Sequence, residues 1–167
     1  MEDEGVDALT IHTRFEEESL NRPARPALYG ELASETRLPF IANGDITGAE
    51  FVRDRMAQFS AASGLMVGRM AAAQPWVFAR WHDSSLAVDP AEVWHRLCDY
   101  INEDFPPQKA LVRIKILAPY FARNFVFGHT LFSALQSAPD LPTALSRADR
   151  FLSSAPEVFK DITLAGI

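Results

Sequence analysis

Cysteine is nearly absent. The only thiol in the 167 residues is Cys98, which excludes an internal disulfide and any cysteine-rich metal site. Such cysteine poverty suits a reducing compartment, and a cytoplasmic location is expected. No apolar run reaches the ~20 residues that a membrane helix requires. The opening Met1-Glu2-Asp3-Glu4 is acidic, the reverse of a secretory leader, so no membrane partner is expected. His95 and His129 lack partners at metal-ligand spacing, and no metal is expected. Positive charge is also in deficit: the formal net charge of −6 excludes a polycation. A nucleic-acid partner would have to be met by a local basic patch. There is no internal repeat and no low-complexity tract.

What is present is an ordinary globular composition, 48% hydrophobic and 23% charged, enough to bury a real core. Charge is unevenly spread. In residues 1–40, nine acidic side chains face four basic ones, whereas from residue 108 onward seven basic face four acidic. Glu16-Glu17-Glu18 is most simply a solvated loop.

Two textures meet near residue 85. Before it, short apolar runs at 8–12, 38–43 and 64–68 alternate with helical patterns, the signature of parallel β/α units. Helices are expected at 27–36 and at 47–59, the second capped by Thr47 with Glu50 three residues on. A short helix is expected around Pro75-Trp76-Val77-Phe78. After residue 85 the strand texture disappears. Asp89 and Pro90 start a helix, and Trp94, Leu97, Cys98 and Ile101 form a stripe at helical spacing. Further helices are expected at 111–125, 127–136 and 141–154, with Pro106-Pro107 as a breaker. The fold class is thus α/β plus all-α: three β/α units, then a helical bundle, with domains at 1–84 and 85–167. A complete eight-stranded barrel takes about 250 residues. Because Glu2–Val6 resembles the tail of a preceding helix, the chain is expected to begin in mid-fold.

The sharpest signal is Asn43-Gly44-Asp45 at the end of the second apolar run and Gly68-Arg69 at the end of the third. In a β/α barrel, ligands bind at the C-terminal strand ends, and phosphate is often held by the last loops. Glycine lets the backbone approach a phosphate closely, and arginine supplies a charged fork for its oxygens. Either element alone has a plain structural reading, a turn or a helix cap. Together, one β/α unit apart, they favour a phosphate cup.

The stretch 5–14 with His12-Thr13-Arg14, then Pro39 to Ile46, Gly68-Arg69 and Pro75-Trp76 resembles the tRNA-dihydrouridine synthase family in order and spacing, from about residue 2 to 81. The tail 110–152 resembles that family's helical domain more loosely. The resemblance implies the C-terminal three β/α units of a TIM-type, FMN-binding barrel followed by a helical tRNA-binding domain. It implies reduction of uridine in tRNA to 5,6-dihydrouridine, with FMN as cofactor and NADPH as electron donor. It further implies that Asn43, Gly44, Asp45, Gly68 and Arg69 hold the ribityl-phosphate end of the flavin and that His12 lies beside the flavin. Arg14 supports the site or meets RNA. Lys109, Arg113, Lys115 and Arg123 form the candidate RNA-contacting set. Lys109 and Arg113 share one helix face; the bland alternative is a solvated helix surface.

Two departures stand out. Ala73-Gln74 replaces the family's Gly-Asn before Pro-Trp. The family's catalytic cysteine loop and its flavin-facing lysine strand are expected upstream of Met1, so no catalytic residue is assigned here. Cys98, in an apolar helix stripe, suits a structural thiol, and His82 beside Asp83 suits a structural or exposed position. Two other readings stay open: a non-catalytic RNA- or nucleotide-binding remnant, and another FMN-binding barrel oxidoreductase.

Overall fold

The computed structural model describes residues 5–15 and 22–164. Residues 2–4 and the Glu16-Glu17-Glu18 run lie outside the described residues. The chain divides into two compact units, one containing residues up to Ala71 and Pro75–Ser84, the other Ala72–Gln74 and the residues from Ser85 to Ala165.

The first unit is built on three short strands, β1 (Leu9–His12), β2 (Phe40–Asn43) and β3 (Gly64–Met66). All pairing is parallel, in the order β1-β2-β3, as the alternation of strand-like and helix-like segments leads one to expect. The register sets His12 opposite Asn43 and Asn43 opposite Met66. Three strand ends therefore line up along one edge, and the loops that follow them meet there. Helix α1 (Leu28–Glu35) covers the sheet through Tyr29, which is fully buried. Its ring lies 5.8 Å from Phe40 and 5.7 Å from Phe59. Ala42, Ile46 and Val52 complete this core.

The helix expected at 47–59 is two helices, α2 (Ala49–Arg53) and α3 (Met56–Phe59), separated by Arg55 at φ −123° and ψ 23°. Thr47 does not cap either. The helix start falls on Gly48, whose positive-φ backbone (φ 157°) leaves Thr47 one residue too early, with no side-chain cap. Two further short helices follow β3, α4 (Arg69–Ala73) and α5 (Val77–His82).

In the second unit the helices are α6 (Pro90–Asp104), α7 (Pro107–Phe121), α8 (Gly128–Gln136) and α9 (Leu141–Leu152), with a 3-10 turn at Ala122–Asn124. Asp89 caps α6 by accepting from the Ala91 N–H at 2.8 Å, and Asp140 caps α9 through the Thr143 N–H at 2.8 Å. Pro106-Pro107 does more than break a helix: Pro107 opens α7 four residues earlier than its apolar pattern suggests, because proline at a first position gives up an N–H that has no helical partner anyway. Trp94, Cys98 and Ile101 are buried, as their spacing implies. Trp94 packs 4.9 Å from Phe121, followed by Phe125 and Phe151 in an aromatic chain.

Pro119 stands inside α7. Proline has no N–H, so the carbonyl four residues back is left without its helical donor. That carbonyl belongs to Lys115, and the Gln136 side chain on α8 donates to it at 2.7 Å. Lys115 answers by donating its Nζ to the Ala138 carbonyl at 2.8 Å, and Arg147 reaches the Ala134 carbonyl at 2.9 Å. Two cations thus meet carbonyls at the C-terminal end of α8, where the helix dipole favours them. Beyond residue 88 the only sheet-like pairing among the described residues is an isolated antiparallel bridge, Phe125 with Val158.

Asn124 is the most completely enclosed polar residue of this unit, at 0% exposure. Its Nδ2 donates to the carbonyls of Ala73 and Phe121 at 2.8 and 2.9 Å. Its Oδ1 accepts from Gln74 Nε2 at 2.8 Å. Among the described residues no helix is long and apolar enough to cross a membrane.

Candidate functional site

The aligned ends of β1, β2 and β3 deliver the residues of the first unit that carry chemistry. After β2 the chain turns through Gly44 at φ +156° and Asp45 at φ +51°. The glycine is required here: a Cβ at residue 44 would stand 2.7 Å from the Ala24 Cβ and 3.3 Å from His12 Nδ1. The left-handed conformation at Asp45 is one that Asp and Asn tolerate better than other residues with a Cβ. Tyr29 donates its hydroxyl to the Asn43 carbonyl at 2.9 Å, fixing the strand end from below, and burial pushes its pKa up.

The centre of the arrangement is the Asp45 carboxylate. Arg14 NH2 donates to Oδ1 at 3.1 Å and to Oδ2 at 2.8 Å. Arg69 NH2 donates to Oδ1 at 2.6 Å, and the Ala24 N–H donates to Oδ2 at 2.7 Å. Burial works to raise the Asp45 pKa. The Ala24 N–H, the Arg14 hydrogen bond and the charges of both arginines outweigh it and hold the group below its ordinary value. Among the described residues, two guanidinium groups share one carboxylate, an excess of positive charge that suits an anion.

Arg14 is a support. Its side chain is 5% exposed; besides Asp45 it donates through Nε to the Arg22 carbonyl at 2.8 Å and stands 3.3 Å from His12 Nε2. His12 is exposed at the end of β1, next to this cluster. Gly68 precedes α4, and a Cβ placed on it would meet nothing within 4 Å. There is open space beside the backbone one residue from Arg69. The structure thus brings together His12, Gly44, Asp45 and Arg69, with Arg14 added as the residue that ties them. Asn43 joins through its carbonyl, held by Tyr29. Trp76, of the Pro-Trp pair, is buried with Arg80 6.0 Å above its ring, which is a packing role.

In the second unit, Lys109, Arg113 and Arg123 are exposed. Arg113 lies over the Phe105 ring at 5.2 Å. Lys115 is half-buried and turned toward Ala138, which sets it apart from the other three. His95 pairs with Asp149 at 3.0 Å on the surface, a contact that the spacing along one helix could not reveal. Burial, together with the charges of Asp149 and Asp99, pushes the Cys98 thiol up to about 12. Such a thiol is inert at neutral pH.

Comparison with known proteins bears on the same segments. The family model "Dihydrouridine synthase (Dus)" matches residues 1–123. The chain is 32% identical over 157 residues to the tRNA-dihydrouridine synthase B of Escherichia coli strain K12, which covers 86% of this chain and 48% of that protein. It is 35% identical over 121 residues to the tRNA-dihydrouridine synthase B of Salmonella typhimurium strain LT2, 68% of this chain and 37% of the relative. The chain therefore spans about half the length, or less, of these curated relatives. On the extent of the family match and the identity to these relatives, the chain belongs to the dihydrouridine synthase family.

Proposed function

We propose that the chain is the C-terminal part of an FMN-dependent tRNA-dihydrouridine synthase, with residues 1–84 as the last three β/α units of its barrel and residues 85–167 as a helical tRNA-binding domain. The observation that carries this reading is the convergence of Arg14 and Arg69 on Asp45 at the C-terminal strand ends, with Gly68 keeping the backbone bare beside Arg69. A cationic cluster beside exposed backbone fits a phosphate monoester, and FMN ends in one.

In this reading Gly68 and Arg69 bind the phosphate, the Asn43-Gly44-Asp45 turn shapes the wall beside it, and His12 lies along the flavin. FMN, reduced by NADPH, supplies the hydride that saturates the uracil C5–C6 bond. The groups that complete the flavin cradle and deliver the proton, including the catalytic cysteine, are assigned outside these 167 residues. In the second unit Lys109, Arg113 and Arg123 present cations to the tRNA backbone, a recognition mainly of shape and phosphate. Lys115 braces the end of α8 behind them. The protein acts in the cytoplasm, where its tRNA substrate is.

Arg69→Ala should weaken FMN binding by about 1.5–3 kcal/mol, the worth of a charge-assisted bond. The pair Lys109→Ala and Arg113→Ala should leave flavin binding intact while lowering tRNA affinity and flattening its salt dependence. Flavin titration and filter binding of unmodified tRNA at several salt concentrations check both. Loss of flavin binding in the Lys109/Arg113 variant, or an unchanged salt slope, would refute the assignment of roles.

A further inference from the structure

Asp45 looks at first like one more ligand of the phosphate, since it sits in the turn that shapes the cup. Its bonds say otherwise. A carboxylate offers about four lone-pair sites, and four contacts occupy them: Arg14 twice, Arg69 once and the Ala24 N–H once. A phosphate oxygen is itself an acceptor and an anion, so it has nothing to gain from this carboxylate. Arg69 is different. Its guanidinium is planar and rigid, so a bond at one nitrogen orients the whole fork.

We propose that Asp45 is a positioning residue, which seats the Arg69 guanidinium for the phosphate of the flavin and ties the loop after β1 to the same point, without touching the ligand. The inference rests on the flavin reading above. Asp45 draws on three places in the chain: Arg14 just beyond β1, Ala24 in the loop that leads to α1, and Arg69 just beyond β3. Arg14 is buried and holds the Arg22 carbonyl as well, so the carboxylate is fixed before it meets Arg69. A guanidinium held in place before the ligand arrives loses less freedom on binding, and the gain falls on the ligand's phosphate alone.

The test compares FMN with riboflavin, which lacks the phosphate. Each is titrated into the wild-type chain, Asp45→Asn, Arg69→Met and the double variant, followed by flavin fluorescence to millimolar concentration. Asn keeps the preference for the left-handed backbone and removes the charge. Asp45→Asn should lower FMN affinity by about tenfold, a loss of preorganisation, and leave riboflavin unchanged. The double variant should bind FMN no more weakly than Arg69→Met, because both act through one contact. Equal losses for the two flavins, or losses that add in the double variant, would overturn the inference while leaving the flavin reading intact. A wild-type chain that binds riboflavin as tightly as FMN would overturn both. Amide exchange of wild-type Ala24, which needs no variant to fold, adds an independent measure. Protection without flavin is expected, and protection arising only when FMN is added would show that the clamp is not preformed.

Discussion

Removing the Asn124 side chain should damage the second unit far more than an average substitution. Asn124→Ala deletes three hydrogen bonds, two donated by Nδ2 to Ala73 and Phe121 and one accepted from Gln74. Each is worth about 1 kcal/mol net, and a buried partner left without water costs about 1–3 kcal/mol. Asn124 is fully enclosed, so water does not readily replace its amide. The expected loss is about 2–4 kcal/mol, a large share of the roughly 5–15 kcal/mol that holds a typical domain together. Urea unfolding of the chain, followed by circular dichroism at 222 nm as an assay of helix, measures it, provided the slope against denaturant is unchanged. Gln74→Ala removes one of the three bonds and should cost about 1 kcal/mol. In the Asn124→Ala background that cost should vanish, because the partner has already gone. A loss under about 0.5 kcal/mol for Asn124→Ala would mean that the three bonds do not sum as argued.

Other substitutions probe other parts of the same reasoning. Gly44→Ala forces a Cβ to 2.7 Å from Ala24 and should destabilise by about 1–3 kcal/mol, as overpacking does; a neutral midpoint would contradict the geometry of the turn. Gly128→Ala should be worse, since its Cβ meets the Ala122 backbone carbonyl, which cannot swing aside as a side chain can. Gln136→Ala should cost about 0.5–1.5 kcal/mol in the wild type and almost nothing beside Pro119→Ala, where the restored N–H serves the Lys115 carbonyl; equal costs in both backgrounds would sink that account. Asp45 is held below its ordinary pKa in the folded chain, so its contribution to stability is fully present above about pH 4. That contribution is lost as pH falls through the folded value. Asp45→Asn should therefore flatten the acid limb of the stability profile, and an unchanged limb would rule this out.

Much of the fold is legible in the sequence because local signals agree with each other. Three short apolar runs, each followed by helical periodicity, suffice for parallel strands, and the Asp89-Pro90 start of α6 is a purely local signal. What escapes is what depends on backbone geometry or distance. Thr47 with Glu50 looks like a capping box, but Gly48 at positive φ shifts the start of the helix. The helix expected to run on to residue 125 ends at Phe121, and the donor that serves the Lys115 carbonyl, which Pro119 leaves unserved, comes from Gln136, 21 residues beyond that lysine. Asn124 gives no sequence signal at all, because its partners Ala73 and Gln74 lie 51 and 50 residues back. Those two residues are the ones that depart from the family's Gly-Asn, so the change falls on the partners of a buried amide. At the strand ends the residue types were readable, but their pairing was not. Asp45 looks like a ligand in the sequence and is bonded to two arginines in the structure.

The contact between Arg14 and His12 also bears on the chemistry of the imidazole. A guanidinium N–H can only donate, so at 3.3 Å the Nε2 of His12 must be the acceptor. Such a bond favours the tautomer that carries its proton on Nδ1, the nitrogen that faces Gly44. A side chain two residues along the chain thus bears on which imidazole nitrogen holds the proton at the strand end.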